Sequence, residues 1–130
     1  MTHPVEASLE LAAERAGDIT AEVYERLFAA HPEMRGLFVR DTDGAVRGQM
    51  LSQAIEALLD FTGAHHFAAN LIRSEIVNHE NLGVPNAVFP IFFTVVRDTV
   101  RDACGPVWTP EMATTWEALL TDIEALSPAA

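Results

Sequence analysis

His79 has the sequence setting best suited to chemistry. It closes an apolar helical stretch, Leu71-Ile72-Arg73-Ser74-Glu75-Ile76-Val77-Asn78-His79. Ile72, Ile76 and His79 recur at four- and three-residue intervals, so a helix puts the imidazole at the end of a buried stripe. An imidazole aimed from an apolar face, in a chain with few other reactive groups, is a candidate metal ligand. Haem iron is one metal that takes a neutral imidazole nitrogen. A histidine on such a face is more often a core residue satisfied by a backbone carbonyl, so its role depends on the rest of the chain.

The other chemistry-bearing groups are few. The single cysteine, Cys104, can form neither an internal disulfide nor a thiolate metal centre; it reads as a small buried apolar residue near a helix end. His65 and His66 are adjacent, and neighbours on a helix diverge by about 100°, so they read as surface residues. His31 reads as a surface position at a helix end, and His3 as a loose terminal residue. The formal net charge of -11 repels phosphate backbones and anionic lipid, which argues against nucleic acid and membrane partners. The acidic residues are scattered, as on a well-solvated surface. Met1–Ser8 lacks the basic-then-apolar pattern of a secretory leader. The longest apolar run, Val88–Val96, is too short to span a bilayer. A cytoplasmic protein is expected.

The elements that must position His79 read as helices almost throughout. With 130 residues, 49% of them hydrophobic, the chain suits one domain over residues 1–130 with a single core. Val5–Ala16 is rich in Ala, Glu and Leu and ends at Gly17. A second helix starts near Asp18 or Thr20, carries Val23, Tyr24, Leu27 and Phe28, and ends at His31 before Pro32. A short turn covers Glu33–Phe38, and Val39–Ala45 reads as a polar loop. From about Val46 a long helix presents Met50, Leu51, Ala54, Ile55, Leu58 and Leu59 as an amphipathic stripe, and Gly63 breaks it. The histidine helix covers about Phe67–His79. Pro85 opens an apolar helix to about Cys104, stopped by Gly105-Pro106. Thr109 caps the last helix, with Pro110 in its first turn and Met112, Trp116, Leu119, Leu120, Ile123 and Leu126 as its stripe. No segment alternates with period two, so an all-α domain is expected, with room for a flat apolar ligand between helices.

Several phrases, in order along nearly the whole chain, resemble the globin family, and more narrowly the single-domain bacterial haemoglobins and the globin half of flavohaemoglobins. They are Val23-Tyr24-Glu25-Arg26-Leu27-Phe28, His31-Pro32-Glu33-Met34-Arg35-Gly36-Leu37-Phe38, His79 with Gly83 and Val84 following, Phe89-Pro90-Ile91, and Trp108-Thr109-Pro110-Glu111 with Trp116 beyond. The resemblance implies a globin fold of about six to seven helices around haem b. His79 would be the proximal iron ligand, its other ring nitrogen donating to a carbonyl or side chain. Phe38 would stack on the porphyrin, although ordinary core packing would also account for it. Tyr24 would donate a hydrogen bond to a diatomic ligand on the distal side; its alternative is a buried tyrosine capping a helix contact.

Counting back from His79 without gaps places Arg47 at the usual distal histidine or glutamine position, with Leu51 one turn later. A permanent cation is costly to bury unpaired, so Arg47 is expected at a haem propionate, with Gln49 as the fallback distal amide. Leu51 and Ile55 would shape a dry distal pocket. Ile76, Val84, Phe89, Phe92 and Leu120 would line the rest, though each could equally be plain core.

Two departures from the family stand out. Phe89 occupies a position where flavohaemoglobins carry a tyrosine that strengthens the proximal histidine, and it has no hydroxyl. Glu75, one turn before His79, stands where the family tends to be aliphatic; it is expected to be exposed or at the haem edge, with a hydrogen bond to His79 as the alternative. The implied function is binding of O2, NO or CO, with NO dioxygenation as the associated chemistry and a separate reductase as electron donor. Alternatives are a haem-based gas sensor or interaction protein, a peroxide-activating haem enzyme assisted by Arg47, and a haem-free globin-like domain.

Overall fold

Helix ends in this chain are made by local hydrogen bonds that the sequence supplies. The computed structural model describes residues 3–38, 41–62, 68–81 and 89–126. Helix α1 spans Pro4–Ala16; His3 is not a loose terminal residue, because its Nδ1 accepts from the Val5 amide at 3.2 Å and caps the helix. Gly17 ends α1 with φ at 69°, a conformation glycine adopts without a Cβ penalty. Helix α2, Thr20–Ala30, begins where the Asp18 carboxylate accepts from the Thr20 amide at 2.9 Å. A 3-10 turn, Pro32–Phe38, leads on from it. Helix α3 runs Ala45–Thr62 and α4 Ala68–Asn81. Helix α5, Phe89–Cys104, passes through a short 3-10 turn, Gly105–Val107, into α6, Pro110–Glu124. Thr109 caps α6, its hydroxyl accepting from the Met112 amide at 3.1 Å.

Burial follows the helical period. In α5, Val96, Val100 and Cys104 recur every fourth residue and are fully buried. In α6 the inward residues are Met112, Trp116, Leu119 and Ile123. Helix α5 is the hub, packing on α1, α2 and α6; α1 also meets α6 and α3, and α3 lies against α2 and α4. All described elements are helical, as the sequence predicted. No helix among the described residues is long and apolar enough to cross a membrane.

One buried polar junction fastens the α1–α5–α6 end. The Ser8 hydroxyl donates to the Val5 carbonyl at 2.7 Å and accepts from Trp116 Nε1 at 2.9 Å. The Cys104 thiol points at the Ser8 carbonyl oxygen, 3.4 Å away. Burial pushes the Cys104 thiol above its ordinary range, consistent with a structural rather than nucleophilic cysteine.

Candidate functional site

At the other end of the molecule the helices do not close on one another. A cavity of about 380 Å³ lies between α2, the Pro32–Phe38 turn, α3, α4 and the start of α5, within the roughly 300–1,000 Å³ range of small-molecule and cofactor pockets. Most of its wall is apolar. Helix α2 contributes Tyr24 and Leu27, and the turn contributes Met34, Leu37 and Phe38. Helix α4 presents Leu71, Ile72, Glu75 and His79; α5 presents Phe89, Phe92 and Phe93.

Two polar side chains define what the cavity can do. His79 Nδ1 lies 2.7 Å from the Glu75 carbonyl oxygen. A carbonyl only accepts, so Nδ1 carries a proton, and the neutral tautomer compatible with this contact has its lone pair on Nε2, the form in which imidazole binds a metal. Phe89 packs edge-on against the ring, with centroids 5.1 Å apart, which restrains its rotation. Tyr24 is the second. It is 2% exposed and its ring sits among Phe28, Phe38 and Phe92 at centroid distances of 5.9, 5.4 and 5.6 Å. Its hydroxyl is the one buried side-chain polar atom without a partner among the described residues. An orphaned buried hydroxyl costs about 1–3 kcal/mol, so its retention in a cavity wall points to a ligand that accepts from it. Burial raises the Tyr24 phenol far above its ordinary value; the Arg47 charge opposes this and the Asp41 charge adds to it. The group is therefore a hydrogen-bond donor at all physiological pH values.

The residues expected at the site divide into three groups. Tyr24, Phe38, His79, Phe89 and Phe92 line the cavity together. Val84 lies outside the described residues. The rest are elsewhere. Leu51 and Ile55 face a second groove, shared with Leu9, Ala12 and Leu59, between α1 and α3. Ile76 is buried in the core behind the α4 wall, and Leu120 packs on the core from α6; neither lines the cavity. Arg47 neither reaches into the cavity nor stands free at its edge. Its Nε donates to Asp41 Oδ2 at 2.9 Å and its Nη2 to the Asp41 carbonyl oxygen at 2.9 Å. Gln49 is exposed.

The reason for these corrections is rotational. Each residue turns a helix by about 100°, and the apolar stripe of α3 is wide enough to have two flanks. Tertiary packing assigns Val46, Met50, Gln53, Ala54 and Ala57 to the cavity, leaving Leu51 and Ile55 for the α1 side. Gln53 is thus the α3 amide at the cavity wall. Its signal in the sequence is the three-residue step from Met50, hidden because the count back from His79 puts Arg47 and Leu51 on that face.

Asp41 was also missed. It is 9% exposed, lines the cavity, and accepts from the Val46 and Arg47 amides, each at 3.0 Å. Burial alone would raise its pKa, but these amides and the Arg47 guanidinium outweigh burial and hold the carboxyl below its usual range. Asp41 therefore anchors the free amides at the start of α3. Glu75, expected to be exposed or at the haem edge, lines the cavity with its side chain 36% exposed.

The Globin family model matches residues 21–126, and this chain belongs to the globin family. Its fold is the all-α globin fold, and membership implies haem binding. Two relatives from rice, each named Anaerobic nitrite reductase NSHB5, one from Oryza sativa subsp. japonica and one from Oryza sativa subsp. indica, are 27% identical to it over 111 residues, covering 82% of this chain and 77% of theirs. No solved structure matches significantly. The donor set fits an iron porphyrin: a largely apolar cavity, an imidazole whose Nδ1 is taken up by the Glu75 carbonyl, and a hydroxyl in the same wall with no partner among the described residues.

Proposed function

We propose that this protein is a gas-binding haemoglobin in which His79 Nε2 holds the iron of haem b and Tyr24 recognises a diatomic ligand. When bound, the haem supplies a ferrous centre for O2, NO or CO. The observation that carries the proposal is the buried Tyr24 hydroxyl, without a partner among the described residues, in the wall of the cavity that His79 also lines. Tyr24 donates its proton in a hydrogen bond and does not release it, because burial keeps the phenol protonated. That bond favours a ligand with negative character on its outer atom, O2 above CO. Phe38, Phe89 and Phe92 would keep water from the porphyrin and supply its apolar contacts. Gln53 supplies a second polar contact from α3. The pairing of Tyr24 with His79 supports kinship with single-domain bacterial haemoglobins and the globin half of flavohaemoglobins.

The associated chemistry is NO dioxygenation, in which NO, O2 and one electron give nitrate, with the electron from a separate reductase. The names of the rice relatives favour a second reading: nitrite, two protons and one electron give NO and water. Nitrate formed from NO under O2 supports the first; NO formed from nitrite by the ferrous protein without O2 supports the second.

The deciding test is the absorption spectrum of the purified protein in the ferric, ferrous and ferrous-CO states, beside His79→Ala. A Soret band in the wild type that is lost or shifted in the variant is expected. No haem uptake by the wild-type chain overturns the proposal.

A further inference from the structure

We infer that the Glu75 carboxylate is a positioning residue for His79, acting on the same ring nitrogen as the Glu75 carbonyl. The inference rests on His79 being the iron ligand. His79 Nδ1 is 2.7 Å from the Glu75 carbonyl oxygen and 3.5 Å from Glu75 Oε2. Both acceptors come from one residue one helical turn earlier, so α4 itself sets the geometry. Phe89, edge-on at 5.1 Å, holds the ring with Nδ1 toward them. The Glu75 side chain is 36% exposed and that of His79 21%, which puts the carboxylate at the cavity mouth, solvated on one side.

The two acceptors do different things. A carbonyl fixes the tautomer. An anion beside the same N–H also draws its hydrogen outward and raises electron density on Nε2. The imidazole then binds its metal more strongly and favours the oxidised state. Phe89, which has no hydroxyl, cannot deliver this effect; Glu75 delivers it from within the histidine's own helix.

The test uses the full chain loaded with protohaem, comparing wild type, Glu75→Gln and Glu75→Asp. Gln keeps the backbone carbonyl and the side-chain shape and has similar helix propensity, so it removes the anion alone. The readouts are the iron–histidine stretching band of the ferrous protein by resonance Raman and the rate of haem loss to an acceptor protein. Glu75→Gln is expected to lower the stretching frequency and speed haem loss by about 10-fold or more; Glu75→Asp should fall between. Should the Gln variant not fold, the shift in Glu75→Asp carries the comparison. A wild type that takes up haem through His79, with both variants giving its band and its loss rate, overturns this inference alone. A wild type that takes up no haem overturns the functional proposal and this inference together.

Discussion

Two buried aromatic side chains with polar ends face opposite fates. Trp116 is fully buried at the α1–α5–α6 end, and its N–H meets the Ser8 hydroxyl at 2.9 Å. Tyr24 is buried on α2 against α5 and the Pro32–Phe38 turn, and its hydroxyl meets no partner among the described residues. The same physical rule governs both, since a buried donor without an acceptor is destabilising. At one end the rule is satisfied within the chain; at the other it is left open beside a cavity. The first end holds the fold, and the second end has room and chemistry for a guest.

The comparison is broken most sharply at Trp116. Trp116→Ala should destabilise the protein by about 3–5 kcal/mol, through lost burial and a cavity that cannot collapse. Denaturant unfolding checks this, and a loss below about 1 kcal/mol would mean that the junction is not holding that end. Tyr24→Phe should instead leave stability equal or slightly raised, because it removes an orphan rather than a partner. Its effect should appear in ligand release: O2 should leave the loaded variant about 10- to 100-fold faster, the equivalent of a charge-assisted hydrogen bond. Stopped-flow displacement of O2 by CO measures it, and an unchanged rate removes Tyr24 from the site. Ser8→Ala should cost about 1–3 kcal/mol, because the Trp116 N–H stays buried with nothing to meet it.

The smallest effect concerns pH. Tyr24 is the only tyrosine in the chain, so ultraviolet tyrosinate absorption reports on it alone. Its ordinary value is 10.0, and burial raises it in the fold. The folded state therefore keeps a proton that the unfolded chain gives up above about pH 10. This contribution is complete below that pH and is lost as pH rises toward the folded value. Native protein should show no tyrosinate band near pH 10, and the band should arrive with unfolding. Tyr24→Phe should flatten the alkaline loss of stability. A native band titrating near 10 would show the phenol to be exposed.

Much of the architecture was legible because it depends on neighbours in sequence. Gly17, Asp18, Thr109, Pro110 and the Gly105-Pro106 pair act within one or two turns, and the helices they bound begin or end close to the predicted positions, whereas the starts expected at Phe67 and Pro85 lie outside the described residues. The position of His79 at the end of an apolar stripe was legible for the same reason, as was the aromatic character of Phe38, Phe89 and Phe92. The distal wall was not. Counting residues placed Arg47 at the distal-helix position, with a haem propionate as its expected partner, yet Asp41, six residues earlier, takes up its guanidinium. Nothing local distinguishes a free cation from a paired one. No neighbour in sequence marks the role of Ser8, which comes from Trp116, 108 residues away.

The sequence by itself determined that this chain is helical, roughly where each helix begins and ends, and that one histidine lies where a buried stripe ends. These follow from propensity, capping and period, which are properties of adjacent residues. Only the tertiary structure decided which flank of α3 faces the cavity, which cation is already paired, and which buried hydroxyl lacks a partner. A helix can rotate about its axis without any change in its own hydrogen bonds, so its neighbours choose its inward face. Hydrogen-bond satisfaction, in turn, depends on what distant segments bring within about 3 Å.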